Sequence, residues 1–244
     1  MKKALITGAN KGIGLETAKQ LLRQGFYVYL ASRNPENGRK AVEELKSQGL
    51  ANIESIQLDV TSEASVEKAK SEIGQKTDVL DVLVNNAGIS GIAQSPSEAT
   101  IENFKSVFET NLYGAIRATT AFLDLLKASD AARIVNVSSN MGSLTLASDP
   151  DYAAYDYKVL AAYSSSKSAL NMYTVHLAYE LKDTKIKVNA VCPGYTSTDF
   201  TNHVGGELEV AGKRISKYAL LDENGPTGKF FSEEANPETG EIPW

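Results

Sequence analysis

Short apolar runs alternate with longer amphipathic stretches along most of the chain. Residues 4–6 form an apolar run that reads as a fully buried strand, and 26–31, 53–58, 79–84, 133–137 and 186–191 read as five more. Residues 227–232 offer a seventh. Between them lie helical patterns. The first enters near Ile13 and buries Ile13, Ala18, Leu21 and Leu22; others cover 37–48, 65–74, 97–127 and 161–182. Strict alternation of strand and helix predicts a parallel sheet with helices on both faces. Asn111 sits inside the long pattern 97–127, where Asn is unfavourable, so it either caps a kink or satisfies a buried polar network. Residues 201–221 are helical but weakly amphipathic and contain Gly205-Gly206, which suggests a lid over about 200–221, with a plain surface loop as the alternative.

The joint after the first strand carries the first candidate chemistry. Gly8, Gly12 and Gly14 follow the spacing G-x-x-x-G-x-G. Glycines there permit unusual backbone angles and close approach of a ligand, and N–H groups at the helix start can bind phosphate. The same spacing also suits a tight strand–helix turn. The second strand ends in Ser32-Arg33, where dinucleotide folds often place an acid that binds the ribose 2′-hydroxyl. A hydroxyl and a guanidinium suit a 2′-phosphate instead, and Lys11 adds a cation. The expectation is NADP (NADPH) rather than NADH, against the alternative of two solvated surface charges. At the third strand's end, Asp59 could hydrogen-bond an adenine amino group while Val60 packs on the ring; equally, Asp59 could cap the next helix through Thr61 and Ser62. The fourth strand ends in Asn85-Asn86-Ala87-Gly88, a polar, small-residue turn suited to backbone contact with a ribose.

Composition narrows the classes. A chain of 244 residues with 42% hydrophobic and 23% charged residues has the profile of a soluble globular protein. A formal net charge of −5 argues against nucleic-acid and anionic-membrane partners. One cysteine, Cys192, excludes an internal disulfide and a multi-cysteine metal site, and no other metal-ligand spacing is present. No apolar run has signal-peptide or membrane-spanning length, so a cytoplasmic location is expected.

Ser138 and Ser139 close the fifth strand, at the edge where open parallel sheets bind ligands. Tyr163 and Lys167 are four apart and share a helix face. A phenol with its ordinary pKa near 10 is a poor proton donor or acceptor at neutral pH. A nearby ammonium and an oxidised nicotinamide lower that value. Tyr163 could then exchange a proton with a carbonyl or alcohol oxygen, Ser139 hydrogen-bond that oxygen, and Lys167 hold the nicotinamide ribose. Taken singly, Tyr163 also fits a packing residue and Lys167 a surface charge.

The ordered set Thr7-Gly-x-x-x-Gly-x-Gly14, Asn85-Asn-Ala-Gly88, Asn111, Ser139, Tyr163-x-x-x-Lys167 and Pro193-Gly194 resembles the short-chain dehydrogenase/reductase family over residues 2 to about 199. The resemblance implies a single doubly wound Rossmann domain over 1–244, with a seven-stranded, mostly parallel sheet. It implies NAD(P)-dependent oxidoreduction of a carbonyl/alcohol pair. Tyr163 becomes the acid/base, Ser139 rather than Ser138 the substrate-orienting hydroxyl, and Lys167 the ribose ligand. Asn111 holds a water that relays protons past Lys167. The implied cofactor-binding set is Gly8, Asn10, Lys11, Gly12, Ile13, Gly14, Ser32, Arg33, Asp59, Val60, Asn86, Ala87, Gly88, Pro193, Gly194, Thr196 and Thr198, with Tyr163 and Lys167. Asn10-Lys11, Ser32-Arg33, Cys192-Pro-Gly-Tyr and Gly225-Pro-Thr-Gly-Lys-Phe-Phe-Ser232 look like the carbonyl-reductase branch, which implies reduction of small-molecule aldehydes, ketones or quinones. The gap from Ser139 to Tyr163 exceeds the common spacing, with an insert at about 146–160 bordering the substrate site. In that branch an insert can cover the face used for dimerisation, so monomer and homodimer both stay open. Tyr152, Tyr155, Tyr157 and Tyr195 line an aromatic pocket or pack the insert down, and His203 sits in the expected lid. Other readings are an NADP(H)-sensing protein without chemistry, an alcohol dehydrogenase working oxidatively, and a sugar-nucleotide epimerase. The short stretch after Asp199 argues against the last.

Overall fold

A computed structural model describes residues 1–155 and 157–244; Asp156, inside the expected insert, lies outside the described residues. The strands are β1 (Lys3–Ile6), β2 (Tyr27–Ser32), β3 (Ile53–Gln57), β4 (Val82–Asn85), β5 (Arg133–Val137), β6 (Lys187–Val191) and β7 (Phe230–Phe231). They form one sheet in the order β3-β2-β1-β4-β5-β6-β7. Every neighbouring pair is parallel. The order reverses direction between β1 and β4, which opens a crevice beyond their carboxyl ends, where doubly wound sheets bind ligands.

The helices are α1 (Gly12–Arg23), α2 (Pro35–Ser47), α3 (Glu63–Gly74), α4 (Ile101–Phe108), α5 (Gly114–Lys127), α6 (Leu144–Ser148), α7 (Ala161–Glu180) and α8 (Leu208–Ala219). Successive strand residues feed opposite cores. Ala4, Ile6, Val28 and Val84 pack with Leu21 of α1, Val42 of α2 and Ile215 of α8. Leu5, Tyr29, Leu83 and Ile134 pack with Ile73 of α3, Phe122 of α5 and Leu177 of α7. Both faces are covered, so the strands are continuous apolar runs rather than alternating ones.

Two expectations change. The pattern 97–127 is two helices joined by a π-helical turn, Glu109–Tyr113, with Asn111 at its centre. Residues 201–221 are not one helix. A 3-10 turn at Asp199–Thr201 leads into a loop, and α8 begins at Leu208. Asn202 and His203 there take left-handed backbone angles, φ 51° and 60°, which end any helix. α8 buries Ala211, Ile215, Tyr218 and Ala219 and packs closely on α1, where a Cβ at Gly212 would stand 2.6 Å from Glu16 Cγ. The expected lid over about 200–221 therefore overlaps a packed helix from Leu208 onward.

Below the sheet, Arg133 is buried and donates to four carbonyls: Leu221 (2.9 Å), Asp222 (2.8 Å), Ala132 (2.8 Å) and Lys185 (3.1 Å). It ties the end of α8 to the strand starts. Arg133→Met should strand several of these carbonyls and lower the unfolding free energy by about 3 kcal/mol. Urea titration checks this: the midpoint falls while the slope stays unchanged.

Candidate active site

The loop from β1 to α1 is shaped by its glycines and by the turn after β4. Gly8 has φ +62°, and a Cβ there would come within 2.9 Å of Ala87 Cα. A Cβ at Gly14 would meet Asn86 Nδ2 at 2.5 Å. Buried Thr7 holds the two loops together: its Oγ1 accepts from the N–H groups of Asn86 and Ala87, each at 3.0 Å. Asn86 donates back to the carbonyls of Thr7 (2.9 Å) and Gly8 (3.1 Å). Its side-chain amide is therefore a brace of the glycine loop. Gly12, φ +57°, faces open space; a Cβ there would touch only Thr198 Cγ2, at 3.7 Å. The start of α1 has no side-chain cap and no acidic residue in its first turn, whereas Asn34, Ser62 and Thr100 cap α2, α3 and α4. Ile13 lies in that first turn and Asn10 just before it. Uncapped N–H groups beside open space suit an anionic group.

Ser32 is buried at the end of β2, and its hydroxyl donates to the Asn34 carbonyl at 2.8 Å; Arg33 beside it is exposed. Asp59 does not cap α3, whose N-cap is Ser62; its Oδ1 accepts from Thr61 N (3.0 Å) and Thr61 Oγ1 (2.8 Å) in a local turn before the helix. Val60 is buried against Gly114 of α5, where a Cβ would stand 2.7 Å from Val60 Cγ2. Lys11 reaches across the crevice to Asp199, 2.5 Å away, and His203 Nε2 lies 3.3 Å from the same carboxylate.

On the other side of the crevice the structure brings Ser139, Tyr163 and Lys167 together. Ser139 caps the 3-10 turn Asn140–Gly142, and its Oγ accepts from Met141 N at 3.2 Å. Its hydroxyl donates to Asn140 Oδ1 at 3.4 Å and stands near enough to Tyr163, in the first turn of α7, to pull on the phenol's pKa. Ser138 is turned away, its hydroxyl donating to Asn171 Oδ1 at 2.6 Å. Lys167 lies one turn below Tyr163, its Nζ 5.6 Å from the phenol ring centroid and donating to the Val137 carbonyl at 2.8 Å. A Cβ at Gly142 would stand 2.8 Å from Lys167 Cβ, and one at Gly88 would stand 3.7 Å from Nζ. The Phe200 ring covers Tyr163 at 5.2 Å.

Asn111 resolves to the buried-network alternative. Its Oδ1 accepts from Ile89 N (2.8 Å), and its Nδ2 donates to Ile89 O (2.9 Å) and Ser166 Oγ (3.0 Å). Asn103, which the sequence did not single out, repeats the device three residues further along the same loop. It binds both Ile92 N and Ile92 O at 3.0 Å. The signal was available: a second Asn stands at a helix-interior position of the same pattern. At the end of β6, Pro193 O accepts from Arg214 at 2.9 Å, and Gly194, φ +90°, has no room for a Cβ beside that guanidinium. Thr196 is buried, donating to Gly194 O at 3.0 Å.

The insert holds α6 and a series of turns. Tyr152 OH accepts from Asn140 Nδ2 at 2.6 Å. A cavity of about 230 Å³ under it touches Met141, Tyr152, Ala161 and Ser164. Neither Ser139 nor Tyr163 lines it, but Asn140 and Met141, the two residues after Ser139, and Ala147 of α6 do. Met172 and Tyr179, further along α7, remain exposed.

Burial sets the electrostatics. It pushes the Tyr163 phenol well above its ordinary value, against the smaller pull of the nearby Ser139 hydroxyl. The expectation that Lys167 lowers this phenol is not met in the protein alone, because loss of water around a phenolate outweighs the other influences. Burial also pushes Lys167 down to about 8, opposed by the Cys192 thiol. Between pH 8 and 10 an unfolded lysine keeps a proton that the folded one has lost, so stability should rise with pH across that window. Lys167→Met should abolish the rise, as read from urea unfolding at successive pH values.

Comparison with known proteins gives a concordant picture. The short chain dehydrogenase family model matches residues 2–208. Short-chain dehydrogenase/reductase 1 of Saponaria officinalis is 35% identical, with 94% of this chain and 93% of that protein covered. Salutaridine reductase from Papaver somniferum superposes with a TM-score of 0.85 at 30% identity, covering 95% of this chain and 100% of that one. The NADPH-bound carbonyl reductase from chicken fatty liver also gives 0.85, at 28% identity over 100% of this chain and 99% of that one. Sheet order, glycine loop and family match agree: the chain belongs to the short-chain dehydrogenase/reductase family.

Proposed function

We propose that this oxidoreductase uses NADPH to reduce an aldehyde, ketone or quinone to the alcohol. The observation that carries the reading is the meeting of Ser139, Tyr163 and Lys167 at the carboxyl end of β5. Open space over Gly12 and an uncapped α1 support a dinucleotide phosphate there, and Arg33 at the end of β2 and Lys11 in the glycine loop are the cations available to a 2′-phosphate. Because the Ser32 proton is already given to Asn34 O, selection of a 2′-phosphate rests on Arg33 and on Lys11 exchanging Asp199 for the phosphate. When bound, the reduced nicotinamide supplies the hydride. Ser139 Oγ–H orients the carbonyl oxygen, and Tyr163 Oη delivers the proton that converts it to a hydroxyl. Burial keeps the phenol protonated at neutral pH but also makes it a weaker acid, so its proton release depends on the Lys167 ammonium beside it. Lys167, brought to about 8 by burial, is poised to return a proton to Tyr163 near neutral pH. The insert and the loop 196–206 border the substrate. A buried single thiol fits a reducing, cytoplasmic setting, and among the described residues no helix is long and apolar enough to cross a membrane.

NADPH oxidation by the purified protein, tested against quinones, aldehydes, α-diketones and ketones, is the primary test; no turnover of any of them would refute the reading. Tyr163→Phe should lower kcat by about 1,000-fold or more while NADPH binding persists. Replacing both Lys11 and Arg33 with Ala should weaken NADPH about 100-fold and NADH little. Equal weakening of both would remove the 2′-phosphate assignment.

A further inference from the structure

We propose that residues 241–244 are a positioning strut for the substrate side of the active site. The proposal rests on the carbonyl-reductase reading above. After β7 the chain turns and comes back: Glu241 bridges antiparallel to Phe231, and Ile242 N donates to Phe230 O at 2.9 Å. Trp244 stacks on Phe230, centroids 5.5 Å apart and planes 17° from parallel. Ile242 and Phe230 are buried in a small apolar cluster on which Leu146 of α6 and Trp244 pack.

This strut meets the chain just after the Ser139 turn. Ser143, fully buried, donates its hydroxyl proton to Pro243 O at 2.8 Å and accepts from Leu146 N at 3.1 Å, so one hydroxyl both caps α6 and fastens it to the strut. Thr145 gives two more bonds to Trp244 O, from its N–H (3.1 Å) and its Oγ1 (2.9 Å). The inner half of the turn is held by a different element. Gly142 O accepts from Ser168 Oγ (2.9 Å) and Asn171 Nδ2 (3.2 Å), both on α7, the helix that carries Tyr163 and Lys167.

The division has a functional consequence. Asn140–Gly142 are fastened to α7 and α6 to residues 243–244, with the bond from Asn140 to Tyr152 crossing between the turn and the insert. Loosening the strut should displace Ala147 and with it the α6 wall of the cavity beside Asn140 and Met141, while leaving Ser139, Tyr163, Lys167 and the dinucleotide crevice in place. Substrate KM should change, and kcat and dinucleotide affinity should not. Local opening of a short helix held by three hydrogen bonds and one apolar contact also predicts faster amide exchange there.

The test compares Trp244→Ala, the conservative Trp244→Phe and the milder Thr145→Val. With NADPH, 4-nitrobenzaldehyde and 1,4-naphthoquinone serve as probes; NADPH affinity is read from its own fluorescence, and amide exchange is mapped by mass spectrometry. Trp244→Ala should raise the carbonyl KM about tenfold and accelerate exchange across residues 143–148. The kcat, the NADPH Kd and exchange in the glycine loop should stay within about twofold. Trp244→Phe should restore the KM, and Thr145→Val should give a smaller shift in the same direction. Unchanged exchange across 143–148 in Trp244→Ala overturns the strut whatever the turnover. Unchanged KM, or parallel loss of KM, kcat and NADPH affinity, overturns its role in substrate positioning. If Trp244→Ala does not fold, an unchanged KM in Thr145→Val overturns it. Wild-type protein that binds NADPH but reduces neither these probes nor the wider carbonyl series would instead refute the functional reading, with the exchange data still deciding whether the strut holds α6.

Discussion

A lysine almost cut off from water organises this site. Lys167 donates to one named carbonyl, that of Val137, and burial alone brings its pKa down to about 8. An ammonium in that position is tolerated only where the surroundings leave space and polar partners for it. Gly88 and Gly142, from two different loops, provide the space; a side chain at Gly142 would collide with the lysine's own Cβ. The turn after β4, the turn after β5 and the first two turns of α7 therefore have to converge on one side chain. That convergence brings Ser139 to Tyr163.

The same physical solution recurs around the crevice: a carboxamide fastens a loop without adding charge. Asn86 donates to two carbonyls of the glycine loop. Asn111 and Asn103 each satisfy both the N–H and the C=O of one residue, Ile89 and Ile92. Asn171 joins the Ser138 hydroxyl to the Gly142 carbonyl. A carboxamide carries donor and acceptor at once, so it can replace a missing strand neighbour for an irregular segment. Buried loops close to the chemistry are thus held without added charge.

The segment 196–206 is held in a contrasting way. It spans the crevice through an exposed ion pair, Lys11 with Asp199, and an aromatic contact, Phe200 on Tyr163. Exposed pairs of this kind contribute little stability and exchange partners readily. The deep face is therefore fixed by buried amides and the mouth by replaceable contacts, an arrangement suited to letting a large anionic ligand enter over a rigid floor.

The grouping of Ser139, Tyr163 and Lys167 rested on family resemblance, whereas sequence pattern alone determined the alternating strands and helices, the parallel sheet with helices on both faces and the glycine joint. These depend on local periodicity and on short spacings, which a linear chain displays directly. Tertiary structure decided what long-range contacts control. Asn111 splits a helical pattern because its partners are Ile89 and Ser166, 22 and 55 residues away. Residues 208–219 are core rather than lid because α1 and the sheet bury one face of them. Asn86 braces the glycine loop from 78 and 79 residues away. The Tyr163 phenol is raised rather than lowered because burial is a property of the assembled fold. No local pattern places Trp244 beneath α6, since Thr145 and Trp244 are separated by 99 residues and meet only once the sheet is complete.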